Sequence, residues 1–150
     1  MTRLDFIHRY GPLFEHSPWV AERAYDVPGD DLLTRFATVL ETATETERLA
    51  LIRAHPELAA KIELTDSSAA EQQGAGLRAL SEPEFLNFRG LNAAYREKFG
   101  FPFVICVKEN TKSSIIAAAA KRLRNDPAVE QRAAIAEILK IAKFRLEALP

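Results

Sequence analysis

An all-α fold is what this sequence predicts, and three observations predict it. Helix-start signals recur along nearly all of the 150 residues. Between them, apolar residues return at three- and four-residue spacing. Only one short segment has the β-branched and aromatic character of extended chain, and no second strand candidate stands near to pair with it.

The elements follow in order. Thr2 caps a short helix that Gly11-Pro12 ends after Tyr10. Ser17 before Pro18 has the form of an N-cap and a first helical residue whose missing N–H costs nothing, so Glu15-His16-Ser17-Pro18-Trp19 reads as the lead-in to a second helix. After Pro28-Gly29, the residues Leu32, Leu33, Phe36, Val39 and Leu40 make one apolar stripe at helical spacing. Thr44 and Glu47 form a capping box for a helix carrying Leu49 and Ile52, and Pro56 disfavours helical geometry at His55, where that helix should stop. Ser68 and Glu71 repeat the capping-box pattern and open a helix through Leu77 and Leu80; Ser81 and Glu84 repeat it again for a longer helix ending near Phe99, with Gly100 placed to terminate it. Phe101 to Val107 is the exceptional segment, read as buried extended chain within a helical protein. Ser113 to Arg124 is an alanine-rich helix, and Asp126-Pro127 begins the last one, with Ile135, Ile138, Leu139, Ala142, Leu146 and Leu149 facing inward. The expectation is about seven or eight helices in one domain over residues 1–150, with no repeat and no linker.

Composition excludes several classes of function. Hydrophobic residues at 47% and charged residues at 27% are ordinary for a soluble globular chain. Twenty basic against twenty-one acidic residues leaves a net charge of −1, which offers no concentrated basic face for nucleic acid. No stretch approaches the ~20 apolar residues of a membrane span, and the N-terminal MTRLDFIHRYG lacks the apolar core of a signal peptide. A single cysteine, Cys106, cannot form an internal disulfide and fits a reducing compartment, so the expected location is cytoplasmic. Among the three histidines and one cysteine, no HExxH or CxxC spacing occurs, and the expected metal set is none.

With so few groups that titrate near neutral pH, His55-Pro56 and the downstream Ser67-Ser68-Ala69-Ala70-Glu71-Gln72 carry most of the chemical interest. Each has two readings. His55 is either a helix C-terminal cap or an imidazole that the Pro56 break aims into a cleft. Glu71 is either the far end of a capping box or a carboxylate on a helix turn whose free amides favour an anionic or carbonyl-rich ligand, with the Gln72 amide beside it. The segment from Phe103 to Val107 is either plain core or a source of backbone N–H and C=O groups that a planar, amide-rich ligand satisfies. Arg145 either snorkels from the buried stripe or pairs with a carboxylate in a pocket.

These segments also occur in a recognisable order. Phe14-Glu15-His16-Ser17-Pro18-Trp19, Ala54-His55-Pro56-Glu57-Leu58-Ala59, Glu63-Leu64-Thr65, Ser68-x-x-Glu71-Gln72 with Ala75-Gly76-Leu77, Phe99-Gly100-Phe101-Pro102-Phe103-Val104-Ile105 and Glu137-Ile138-x-x-Ile141-Ala142-x-x-Arg145-Leu146 together resemble the 2-oxo-4-hydroxy-4-carboxy-5-ureidoimidazoline (OHCU) decarboxylases of uric acid degradation. The resemblance covers nearly the whole chain. It implies an all-helical, cofactor-free, usually dimeric enzyme that acts on a small molecule to produce (S)-allantoin and is a candidate to associate with other urate-pathway enzymes. It places the catalytic histidine on His55 and counts Glu71 among the substrate-binding positions, while the chemistry of the reaction gives Glu71 a catalytic part beside His55. Substrate binding falls on Pro56, Ser68, Gln72, Phe103, Val104, Ile105, Cys106, Val107 and Arg145. Glu57 and Ala60 stand where that family commonly has aspartate and glycine, and the stretch from His55 to Ser68 is several residues shorter than usual. That shortening keeps open a competing reading, a non-catalytic helical module that binds ureides or serves as a scaffold. Convergence of His55, Glu71 and Arg145 on one concave pocket is what separates the two.

Overall fold

A computed structural model describes residues 1–59 and 64–150. Among the described residues there are eight α-helices, two 3₁₀ turns and no strand. The helices are α1 (Arg3–Tyr10), α2 (Trp19–Ala24), α3 (Leu32–Thr42), α4 (Glu45–Arg53), α5 (Asp66–Gly74), α6 (Glu82–Phe99), α7 (Lys112–Arg122) and α8 (Pro127–Glu147), with 3₁₀ turns at Gly11–Leu13 and Val107–Glu109. Ala60 and Glu63, singled out from the sequence, lie outside the described residues.

Most helix ends form as their local chemistry dictates. Thr2 accepts from the Asp5 N–H, and Thr44–Glu47 and Ser81–Glu84 each complete both bonds of a capping box. Gly100 closes α6 at φ 76° and ψ 12°, the left-handed region in which a side chain costs ~1–2 kcal/mol.

Two starts differ from expectation, and both differences bear on function. Ser17 is not a cap: Pro18 occupies that position before α2, and the Ser17 hydroxyl donates to the Glu15 carbonyl at 2.7 Å. The Ser68–Glu71 capping box does not form either. Thr65 caps α5, accepting from the Ser68 N–H at 3.2 Å, so Ser68 is the third helical residue and its hydroxyl is released for other partners. α5 also stops at Gly74 instead of continuing through Leu77 and Leu80. The Leu77 N–H reaches the Gln72 carbonyl at 2.8 Å and the Gly76 N–H reaches the Gln73 carbonyl at 3.0 Å, a Schellman ending around Gly76 at φ 78°.

The core has two parts joined by the extended segment. One is built by α1 to α4 and α8 around Phe14, Val20, Phe36, Leu40, Leu51, Ile52 and Ile138. The other is built by α6 and α7 with Leu58 and Leu77, around Phe88, Tyr95 and Ile115. Residues 101–107 are buried throughout and run between them. Val104 and Cys106 point into the first part, whereas Phe103, Ile105 and Val107 point into the second. This period-two alternation is what extended chain enforces, and here it stitches two helical layers together without any partner strand.

In α8 the buried face is Glu130, Ala134, Ile138, Ile141, Ala142 and Arg145. Ile138 and Ala142 were expected there, but Ile135, Leu139, Leu146 and Leu149 are only partly buried. The inward face is thus rotated toward the two charged residues. Both have carboxylate or guanidinium partners waiting in the interior, which hydrophobic spacing alone does not register.

Candidate active site

Arg145 comes from the last turns of α8, with its side chain only 7% exposed. Its Nε donates to Glu71 Oε2 and its Nη2 to Glu71 Oε1, both at 2.9 Å. The same Nη2 donates to Glu15 Oε1 at 2.7 Å and to Ser68 Oγ at 3.3 Å, and Nη1 reaches the Leu13 carbonyl at 3.4 Å. One guanidinium therefore serves two carboxylates from different elements, Glu71 on α5 and Glu15 on the loop before α2. Burial works against the charge on Arg145, but the hydrogen bonds and charges of Glu71 and Glu15 outweigh it and raise its pKa.

Glu15 is buried, and burial pushes its pKa up. Hydrogen bonds from Ser68 and Arg145, the Arg145 charge and the Thr65 hydroxyl, which donates to Oε1 at 3.0 Å, win and lower it overall. From the sequence this residue reads as part of a helix lead-in and of the Phe14–Trp19 motif, with no role in the site. The available signal was an acidic residue directly after the apolar pair Leu13-Phe14.

His55 follows the end of α4 as Pro56 dictates, and its ring does cap that helix: Nδ1 lies 3.0 Å from the Leu51 carbonyl. A carbonyl only accepts, so the neutral imidazole carries its proton on Nδ1 and offers a lone pair at Nε2. Burial lowers the His55 pKa to about 4, against the Leu51 hydrogen bond and the Glu15 charge, which raise it. At neutral pH His55 is therefore an uncharged base. The capping reading of this residue is met, and the same ring lines a cavity.

Around these groups, Gln72 uses Oε1 to accept from the Ala59 N–H at 3.0 Å, holding Ala59 at φ 60°. Asn92 donates to the Leu58 carbonyl at 2.9 Å. In the extended segment the Val104 carbonyl accepts from Arg122 Nη1 at 2.7 Å, and the Cys106 N–H donates to Glu137 Oε1 at 3.1 Å. Backbone groups on the Val104 and Cys106 side are thus held by helices, while those of the alternate residues face the other way.

His55, Pro56, Ser68, Glu71, Gln72, Phe103, Val104, Ile105, Val107 and Arg145 all line one cavity, joined by Leu58 and Ile141. Of the residues predicted for the site, only Cys106 does not line it; its side chain is buried in the first part of the core. The cavity is about 30 Å³, room for about one water. Two larger cavities abut it. One of about 740 Å³ shares Glu71 and Arg145 and extends past Ser67, Lys108 and Phe144; the other, about 380 Å³, shares His55 and Pro56 and includes Glu15, His16 and Thr65. Among the described residues, no cluster of three or more His, Cys, Asp or Glu is arranged to hold a metal ion.

A buried neutral imidazole, an arginine and a carboxylate on one cavity wall suit proton transfer on an anionic small molecule. Comparison with known proteins identifies the chain's relatives. It is 41% identical to the 2-oxo-4-hydroxy-4-carboxy-5-ureidoimidazoline decarboxylase of Haloferax volcanii, over 97% of this chain and 91% of the relative. It is 40% identical to the uric acid degradation bifunctional protein of Bacillus sp. (strain TB-90), over 98% of this chain but 30% of that one. Its fold superposes on a crystal structure of (S)-allantoin synthase with a TM-score of 0.77 at 26% identity, covering 99% of this chain and half of the other. Residues 1–147 match the family described as OHCU decarboxylase, and with these relatives the match establishes that the chain belongs to it.

Proposed function

We propose that the 150 residues act as one catalytic unit, a carboxy-lyase that converts 2-oxo-4-hydroxy-4-carboxy-5-ureidoimidazoline to (S)-allantoin in uric acid degradation, with no cofactor. The observation that carries the reading is the convergence of His55, Glu71 and Arg145 on one cavity wall.

The substrate carries its carboxylate on a carbon that also bears a hydroxyl and adjoins a ring C=N. When the bond to CO2 breaks, its electron pair forms a C=C bond, and the imine electrons move to nitrogen, which takes a proton. The hydroxyl then loses its proton to become a carbonyl, and the former imine carbon gains one. The substrate thus supplies its own electron sink, and the protein must supply positioning and proton management. His55 Nε2 accepts the hydroxyl proton. Glu71 orients the same region, and one of these groups, or a water between them, protonates the ring carbon from one face. Arg145, the Gln72 amide nitrogen and the backbone of Phe103, Ile105 and Val107 hold the carboxylate, ring and ureido groups, with Pro56 and Ser68 completing the wall. The central cavity receives the reacting carbon, and the rest of the substrate occupies an adjoining cavity.

The working unit is a homodimer in the cytoplasm, in keeping with the single buried cysteine. The bifunctional Bacillus relative supports association with another enzyme of urate degradation. A binding module without catalysis is disfavoured by Arg145 pointing inward, onto the same wall as His55.

Freshly generated substrate from urate oxidation, mixed with the purified protein, tests the proposal by circular dichroism. Enantiomeric excess of (S)-allantoin is expected. Racemic product at the spontaneous rate removes the enzyme reading.

A further inference from the structure

We infer that Glu15 is a positioning residue for the reaction: it holds Arg145 and Ser68 so that Arg145 presents Glu71 to the cavity. The inference rests on the decarboxylase reading above, but its geometry stands independently.

Glu15 is buried and its carboxylate is saturated by three donors from two elements. Thr65 Oγ1 donates at 3.0 Å, Ser68 Oγ makes a further hydrogen bond, and Arg145 Nη2 donates at 2.7 Å. Thr65 and Ser68 are the cap and third residue of α5, so Glu15 sits at the positive end of that helix, where an anion is favoured. Arg145 then has one edge, Nε and Nη2, committed to Glu71, and its Nη2 is shared with Glu15. The guanidinium is planar, so fixing Nη2 from the Glu15 side fixes the plane in which Glu71 is held.

Glu15 does not line the central cavity, whereas Ser68, Glu71 and Arg145 do. Its action on the central cavity is therefore indirect, although it lines the adjoining cavity on the His55 side. When a ligand draws Glu71 or the Arg145 guanidinium toward itself, Glu15 remains as a buried counter-charge. Without it, Arg145 would follow the ligand or Glu71, and the spacing of both from His55 would change. The loop carrying Glu15 is set for this: Ser17 Oγ donates to the Glu15 carbonyl at 2.7 Å, and His16 takes φ 45°, a left-handed conformation uncommon for a residue with a side chain.

Glu15→Gln is close in shape; it removes the charge and turns one acceptor oxygen into an NH2 donor. It is predicted to lower kcat about 10- to 100-fold while KM changes by less than about threefold, the pattern of misplaced catalytic groups. Glu15 is also the acidic charge that supports protonation of His55, which Arg145 and His16 oppose. The acid limb of the pH–rate profile should accordingly move to lower pH. A second measurement needs no turnover: the Arg145 Nε–H, followed by NMR hydrogen exchange, should exchange slowly in the parent protein and at least about tenfold faster in E15Q. Racemic product from the parent protein would overturn the decarboxylase reading alone, and the exchange experiment would still judge Glu15. A folded E15Q with kcat within twofold of the parent, or with unchanged Arg145 exchange, overturns the positioning role. If E15Q does not fold, Glu15→Asp, which keeps the charge on a shorter arm, is judged by the same two quantities against the same limits.

Discussion

Arg122 and Arg145 are both arginines held in the interior by glutamates, yet their surroundings differ in a way that separates structure from chemistry. At the first, fully buried Glu130 accepts from Tyr95 Oη at 2.7 Å, Arg122 Nε at 2.8 Å and Asn125 Nδ2 at 2.8 Å. Arg122 Nη1 donates to the Val104 carbonyl, and its guanidinium lies 4.6 Å from the Phe103 ring centroid. One glutamate meets one arginine, and neither lines the cavities described above. At the second, one arginine meets two carboxylates, and one of these, Glu71, forms part of a cavity wall. A pair balanced one to one and away from these cavities serves the fold, even with Arg122 Nη2 buried and unpaired. A pair with a carboxylate in excess at a cavity is available to a ligand. The two are linked, because Arg122 anchors the backbone of the segment whose other face lines the site.

The largest effect that can test this contrast is on turnover. His55→Asn should keep the fold and lower kcat about 10²- to 10⁴-fold, the usual worth of acid–base assistance; the chiral allantoin assay reads it. If the protein unfolds instead, the imidazole matters chiefly as the cap on Leu51.

Next in size is the closed pair. Glu130→Ala leaves Arg122 buried without its carboxylate and should cost about 3–5 kcal/mol in urea unfolding. Replacing both members, Arg122→Met with Glu130→Leu, should recover part of that, the remainder being the partners lost by Tyr95, Asn125 and the Val104 carbonyl. Turnover per folded molecule should stay within a few-fold in the double variant; a loss comparable to that of His55→Asn would erase the distinction between the two clusters.

A third test uses pH. His55 titrates at about 4 when folded, against an ordinary value of 6.5, so the unfolded chain binds the proton more readily. Stability from this residue is complete above about pH 6.5 and falls as pH drops toward 4, by at most ~3 kcal/mol. The slope should flatten in His55→Asn. For the same reason the acid limb of the rate profile should lie well below the usual histidine range.

The smallest effects sharpen the contrast most. Tyr95→Phe removes one hydrogen bond to Glu130 and should cost about 1 kcal/mol of stability without touching kcat. Ser68→Ala removes a hydroxyl shared by Glu15 and Arg145 and should do the reverse, lowering kcat more than stability. Equal behaviour of the two variants would argue that both clusters are merely structural.

Local chemistry by itself determined much of this protein. Capping residues at Thr2, Thr44 and Ser81, the Pro56 stop and the left-handed Gly100 are decided within a few residues of chain, so helix order was legible. The buried segment at 101–107 was legible too, because β-branched and aromatic residues without a partner strand have few other places to go. The ordered motifs brought His55, Glu71 and Arg145 forward as one group. Only the tertiary structure decided which polar residues of those motifs serve their own helix and which reach across the molecule. Ser68 had every local mark of a cap, yet Thr65 took that role and left Ser68 to Glu15 and Arg145. Glu15 lies 130 residues from Arg145 along the chain and Glu130 lies 35 from Tyr95, separations that no local pattern encodes. A hydrogen bond to a neighbouring amide depends on chain geometry alone, whereas a buried carboxylate must find a partner wherever packing brings one.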